Sequence, residues 1–302
     1  MNKFLIIGPA SQMLGVKVAK ELGINSINTE FKTFPDGENY LRINLEDESL
    51  IQGNEVIIIQ STGPSASANQ NARVVELAMM IDSVKRMGAS KVTVIVPYLA
   101  YARQDKIFRP GECPFAKVLL RMINSLGIDE FYTVDVHEPK ILNELNCKTI
   151  NIDSMKVLAD HVKSLGAKDI VVVSPDKGAV ERSKTFAKFF GQNVPVEFFE
   201  KKRDVKTGEI VMSGELGLKD KDVVIADDII STGGTMANAI KLSKESGAKR
   251  IFAVATHALM LQHAKYRILT AGADYIIGTD SIDNEVALVS LAKTIADYFR
   301  FE

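Results

Sequence analysis

A chain of 302 residues, 46% apolar and 25% charged, is long enough for two ordinary domains or one large one. With 37 basic against 38 acidic residues, it exerts no global pull on nucleic acid or an anionic membrane, so any anion must be held by local clusters. The apolar runs fall short of the roughly 20 residues of a membrane span, and the N-terminus lacks a signal peptide's apolar stretch, so a cytoplasmic protein is expected.

In chain order, β-branched runs predict strands at 3–7, 55–60, 91–96, 131–134, 169–173, 222–226, 250–255 and 274–277. Their continuous apolar character suits strands covered on both faces, as in a mainly parallel α/β sheet. Helices are expected between them, among them 72–88, closed by Gly88, and Thr235 to Ser246, closed by Gly247. The segment 284–300 reads as a terminal amphipathic helix that packs back on the first half. Cys113 and Cys147 lie far apart in no CxxC pair and read as free thiols.

The two halves resemble one another. KFLIIGPASQMLGVKVAKELG near the start matches KDIVVVSPDKGAVERSKTFAKFFG at 168–191, and three further blocks follow in the same order. Two duplicated domains are expected, 1–145 and 146–302. The duplication is broken at one place: Gln60-Ser61 and TGPSASANQ stand where the second half has Asp227-Asp228 and a Gly-rich loop.

The stretches that carry chemistry follow the predicted strands. FPDGE at 34–38 is a turn signal of the hairpin kind. YARQDKIFRPGE at 101–112 gathers Arg103, Lys106 and Arg109 in what is ordinarily a solvated loop. VDVHEP places His137 just past a strand, VSPDKGAVER places Asp176 similarly, and FFEKKRDVKTGEI at 198–210 is a basic hairpin or mobile loop. In DVVIADDIISTGGT the strand should end near Asp227 and a helix begin near Thr235. Amides of Ser231 to Thr235 can then converge on an anion at the helix N-terminus, with Gly233 and Gly234 permitting close approach. A turn with an N-cap would explain Thr235 and one glycine, but not the paired carboxylates. Asp227 and Asp228 make sense as acceptors for sugar hydroxyls beside a phosphate.

That loop resembles the PRPP loop of type I phosphoribosyltransferases. Together with FPDGE, RQD, DVHEP, SPD and the basic hairpin, the chain is similar over essentially its whole length to the ribose-phosphate diphosphokinase (PRPP synthetase) family, its shorter archaeal-type members especially. The resemblance implies two phosphoribosyltransferase-like domains. It implies transfer of the β,γ-diphosphoryl group of ATP to the 1-hydroxyl of ribose 5-phosphate, giving PRPP and AMP for nucleotide biosynthesis. It implies ATP contacts from Phe34, Asp36, Gly37, Glu38, Arg103, Gln104 and Asp105, and Mg²⁺ near His137 and Asp176. Lys201 and Arg203 are the implied catalytic cations. Arg203, Asp227, Asp228, Ser231, Thr232, Gly233, Gly234 and Thr235 are the implied ribose 5-phosphate site. A homo-oligomer with an ATP site shared between subunits follows, with no nucleic acid or membrane partner. Two positions depart from the family pattern: Lys202 replaces an arginine, and Ser231 stands where many members carry a third aspartate. The alternatives are a PRPP-consuming phosphoribosyltransferase and a non-catalytic, synthetase-associated regulatory paralogue.

Overall fold

The computed structural model describes residues 2–203, 210–213 and 217–300, with side chains outside that description at 200–203 and 210–213. Among these residues the chain divides into two compact units, the first formed by 2–153, 280–283 and 290–300, the second by 154–279 and 284–289.

The first unit runs β1 (Lys3–Ile7), α1 (Gln12–Leu22), β2 (Asn25–Thr33), β3 (Asn39–Ile43), β4 (Glu55–Ile59), α2 (Gln70–Arg86), β5 (Lys91–Val96), α3 (Phe115–Ser125), β6 (Glu130–Val134) and β7 (Lys148–Ile152). Its seven strands lie in the order β3-β2-β1-β4-β5-β6-β7, with only β3 antiparallel. One face, carrying Phe4, Ile6, Val56, Ile58 and Val94, packs on Leu77, Met80 and Leu120 of α2 and α3. On the other face α1 approaches so closely that a Cβ at Gly15 would lie 2.7 Å from Ile7 and 3.1 Å from Ile59. Glycine is the residue that lets this helix seat on the sheet.

The second unit runs α4 (Met155–Ser164), β8 (Ile170–Ser174), α5 (Val180–Phe190), β9 (Val196–Phe198), β10 (Glu200–Arg203), β11 (Ile210–Ser213), β12 (Asp222–Ile230), α6 (Gly234–Glu245), β13 (Arg250–Ala258), α7 (Ala264–Ala271), β14 (Tyr275–Thr279) and β15 (Ala287–Val289). The sheet order is β15-β14-β13-β12-β8-β9, all parallel, and β10 and β11 form a separate antiparallel hairpin. Val223 and Ile225 pack toward Met236 and Ile240 of α6, while Val224 and Ala226 pack toward Phe186 and Ala187 of α5. Burial on both faces is why the strand reads as an unbroken apolar run. Val223, Val224 and Ile225 are fully buried, each worth roughly 1.5–3 kcal/mol relative to exposure.

Read from its opposite end, the second sheet repeats the first: β9-β8-β12-β13-β14-β15 against β2-β1-β4-β5-β6-β7. The eight predicted strands are all strands of these two sheets. Two sequence boundaries are corrected. The first sheet continues through β7, because Lys148–Ile152 pairs with β6, so the chain leaves the first unit after Asp153 rather than at 145. The terminal helix, α8 (Ala292–Arg300), starts well after residue 284, and residues 301 and 302 lie outside the described chain. Asn284 closes a turn by accepting the Val286 N–H and donating to the Ala258 carbonyl, and β15 then pairs with β14. In the first unit Asp280 organises the entry to α8, accepting the Leu291 N–H at 2.7 Å, the Ser290 hydroxyl at 2.7 Å and Lys17 Nζ at 3.0 Å. Phe299 of α8 stacks on Tyr132, with ring centroids 4.7 Å apart.

Candidate active site

Parallel strands bring their C-terminal ends to one edge of each sheet, and the chemistry-bearing loops gather there. In the second unit β12 runs to Ile230, three residues past the expected end at Asp227, because Ile229 and Ile230 still pair with His257 and Ala258. Asp227 and Asp228 are therefore strand residues, not loop residues. The loop that follows turns through Gly233 at φ +74, where a side chain would be strained and would press on Ile268 at 3.1 Å. Gly233 is the N-cap of α6, and no side chain caps this helix. The first-turn N–H groups lack intrahelical partners, which makes this end of α6 a cradle for an anion. Ser231 and Thr232 are tied through their carbonyls: Ser231 accepts the Leu261 N–H at 2.9 Å, and Thr232 accepts from Arg267. Gly234 has open space around it, and Thr235 is exposed in the first turn.

The two carboxylates are not equivalent. Asp228 is buried and faces Arg182 of α5, Oδ2 to Nη2 at 3.2 Å. Asp227 keeps part of its surface open, yet its carboxyl group is hemmed in by protein and accepts the Asp228 N–H at 2.8 Å. Burial, reinforced by the neighbouring Asp228 charge, pushes the Asp227 carboxyl well above the usual carboxylate range. The linkage sign follows. Below the unfolded-state pKa both states are protonated and nothing is lost. As pH rises the unfolded chain ionises first, so stability falls until the folded carboxyl also ionises. Asp227→Asn is therefore expected to melt a few degrees above wild type at neutral pH, with the gain disappearing toward pH 3–4. Thermal scans across that range check it.

Asp176 lies two residues past the end of β8, where Oδ1 accepts the N–H groups of Gly178 and Ala179 at 2.8 and 3.2 Å. Lys201, Lys202 and Arg203 fall on β10, with Lys201 opposite Met212 of β11, and their side chains lie outside the described residues.

In the first unit FPDGE is the exposed turn between β2 and β3. The Phe34 N–H donates to the Glu38 carbonyl at 2.8 Å, and the Glu38 N–H donates to Asp36 Oδ1 at 3.1 Å. Phe34 is 41% exposed, its ring edge-on to Tyr40 at 6.1 Å. Gly37 and Glu38 border a cleft of about 570 Å³ against the start of α2. Asn71 also lines this cleft and accepts a hydrogen bond from Tyr101, at the head of the 101–112 loop. The hairpin and the head of the 101–112 loop thus both meet the N-terminal turn of α2, while Arg103, Gln104 and Asp105 do not line this cleft. Arg103 and Gln104 are exposed, whereas Asp105 is buried. Lys106 ties this loop to the next, 3.4 Å from Asp105 and 3.7 Å from Glu138, beside the exposed His137.

Among the described residues no group of three or more His, Cys, Asp or Glu side chains is arranged to hold a metal ion. Asp176 offers a hard oxygen suited to Mg²⁺, an ion usually bound through one or two carboxylates plus substrate phosphates rather than a protein cage. The donor set fits a metal that arrives with a nucleotide.

Sequence reasoning missed two features. Arg182 stands inside the quoted VSPDKGAVER, and its signal was a cation in the first turn of α5, facing a strand that carries two acids. The second is the counterpart loop of the first unit. There the buried Arg73 donates Nη1 to Glu76 at 2.8 and 3.0 Å and Nη2 to Ser65 and Ser67 at 2.8 and 3.2 Å. A guanidinium from the chain itself fastens the loop that stays open in the second unit.

A family model described as the N-terminal domain of ribose phosphate pyrophosphokinase matches residues 4–127, and one described as the phosphoribosyl transferase domain matches 144–291. A ribose-phosphate pyrophosphokinase of Methanobrevibacter smithii is 38% identical, the alignment covering 98% of this chain and 99% of the relative. One of Saccharolobus solfataricus is 34% identical over 97% of this chain and 98% of the relative. The crystal structure of phosphoribosylpyrophosphate synthetase from Mycobacterium smegmatis superposes with a TM-score of 0.86 at 30% identity, covering 99% of this chain and 98% of that one.

Proposed function

We infer the reaction from membership and geometry together: the chain belongs to the ribose-phosphate pyrophosphokinase family, and it forms PRPP and AMP from ATP and ribose 5-phosphate. The observation that carries this reading is the pairing, in one chain, of the N-terminal domain matched over 4–127 with an open anion loop at 231–235. A PRPP-consuming transferase would need the second without the first.

In the proposed site, the amides and hydroxyls of Ser231, Thr232, Gly233, Gly234 and Thr235 hold the 5-phosphate. Asp227 and Asp228 bind or orient the ribose hydroxyls. The 1-hydroxyl oxygen attacks the β-phosphorus, the bond from that phosphorus to the α,β-bridging oxygen breaks, and AMP departs with the oxygen while the hydroxyl proton passes to solvent. Lys201, Arg203 and Arg103 stabilise charge on the transferring group, and the work is mainly positioning and electrostatics. Phe34, Asp36, Gly37, Glu38, Gln104 and Asp105 hold the nucleotide. Asp176 and His137 would be the protein contacts for Mg²⁺, direct or through water, and the ion would supply neutralisation of phosphate charge. Ser231 contributes a hydroxyl donor where a third carboxylate would repel a dianion. The solvent-exposed Phe34 hairpin supports a homo-oligomer in which a second copy completes the nucleotide site. Both substrates are phosphorylated metabolites retained inside cells, which supports a cytoplasmic location; no described helix is long and apolar enough to cross a membrane.

The purified protein is expected to release AMP and PRPP in equal amounts only when ATP, ribose 5-phosphate and Mg²⁺ are all present. Activity should vanish in EDTA and return with added Mg²⁺. Base-dependent consumption of PRPP without ATP, or no turnover with all three, would sink the reading.

A further inference from the structure

Along β12, Val223 and Ile225 face α6, whereas Val224 and Ala226 face α5. Continued alternation puts Asp227 on the side of α6, whose open N-terminus follows the anion loop, and Asp228 on the side of α5. There Arg182 meets it: Nη2 lies 3.2 Å from Asp228 Oδ2, with side chains 18% and 5% exposed. The Asp228 N–H in turn donates to Asp227 Oδ1 at 2.8 Å. We infer that Arg182 is a positioning residue for ribose 5-phosphate: by tethering Asp228 to α5 it fixes the peptide between the two aspartates, whose N–H holds one oxygen of Asp227 and leaves the other for the sugar hydroxyls.

The inference rests on the reading of residues 227–235 as the ribose 5-phosphate site. It divides labour between neighbours that the sequence presents as a pair. Asp227 touches the sugar, Asp228 acts through the backbone, and Arg182 touches neither substrate. The same turn of α5 contributes a second tie to this strand, from the Ser183 hydroxyl to the Ala226 carbonyl at 3.4 Å. Arg182 also supplies positive charge beside two adjacent carboxylates, and its loss would leave them repelling at the point where the sugar must dock. Swinging apart, they would lose the shared hydrogen bond and the fixed acceptor.

The test uses full-length Arg182→Gln and Arg182→Lys, with steady-state kinetics for each substrate and calorimetric titration of ribose 5-phosphate. R182Q is expected to raise KM and weaken calorimetric affinity for ribose 5-phosphate by about ten- to a hundredfold, as for loss of a charge-assisted contact. KM for ATP should stay within about twofold and kcat should fall much less than KM rises. R182K should recover most of the affinity, because it restores the cation on α5. A merely structural role predicts a lower melting temperature with both KM values unmoved, and that outcome overturns the inference. Equal rises in both KM values, or an R182K no better than R182Q, overturn it too. If R182Q fails to fold, R182K decides alone: a residual few-fold rise in KM for ribose 5-phosphate with KM for ATP unmoved supports the role, and lowered stability with both KM values unmoved contradicts it. A wild-type protein that makes no AMP sinks the reaction reading separately, while calorimetry still compares ribose 5-phosphate binding by wild type and R182Q.

Discussion

Lys201→Ala is expected to lower kcat by about 10²–10³ while leaving ribose 5-phosphate affinity within about twofold. The argument is one of timing. In the proposed site the 5-phosphate is held by the amide cradle at 231–235, which is formed by the loop and α6 before reaction and lies apart in sequence from Lys201 on β10. Charge on the transferring diphosphoryl group and on the AMP oxygen develops only as the bond breaks. A cation that meets that charge stabilises the transition state and not the bound sugar phosphate, so its removal appears in kcat. Steady-state kinetics combined with calorimetric titration separates the two quantities. A variant that kept kcat but lost ribose 5-phosphate binding would move Lys201 into the phosphate site and return the hairpin to a binding role.

Much of the architecture was legible because β1, β4, β5, β8 and β12 are buried on both faces, and burial on both faces writes an uninterrupted apolar run such as FLII or VVIA. The strands that escaped notice lack this constraint. NSINTEFKT of β2 is mostly exposed, and β9 and β15 are three residues each, too short for any period to register. The helix expected from 284 failed for a related reason: apolar positions at 286–291 serve a turn and a strand, and periodicity alone cannot tell these from a helix. At the site, residue types were legible and relationships were not. DDIISTGGT suggested a ribose phosphate loop, but the sequence did not show that β12 extends to Ile230 or that Asp228 is paired with Arg182. No spacing rule joins residues 182 and 228, because the register of α5 on β12 is a tertiary fact.

The broken duplication leads to the second large effect, the loss of stability expected from Arg73→Met. Where the second unit leaves its loop open, the first fills the corresponding place with its own ions. Arg73 and Glu76 are 2% and 0% exposed, and Gln60 adds a hydrogen bond to Glu76 at 2.8 Å. Burial pushes the Glu76 carboxyl above its usual range, while the Arg73 guanidinium pulls it back. Deleting the cation removes that pull and strands a carboxylate in the core. Breaking one side of a buried pair costs about 3–5 kcal/mol, which lowers the melting temperature by on the order of 10 °C for a unit of this size. The loss must also depend on pH in a definite sense. With its folded pKa raised further, Glu76 resists ionisation that the unfolded chain accepts, so the deficit grows as pH rises above the ordinary glutamate range and shrinks near pH 4. Arg73→Met combined with Glu76→Leu removes both charges and should recover much of the stability, since an apolar pair of similar size needs no desolvation of ions. Melting curves of the single and double variants at several pH values decide it. A deficit independent of pH, or a double variant no more stable than the single, would mean that Arg73 serves by fastening Ser65 and Ser67 rather than by neutralising Glu76. In that case the closed loop, and not the ion pair, is what Arg73 supplies to the first unit.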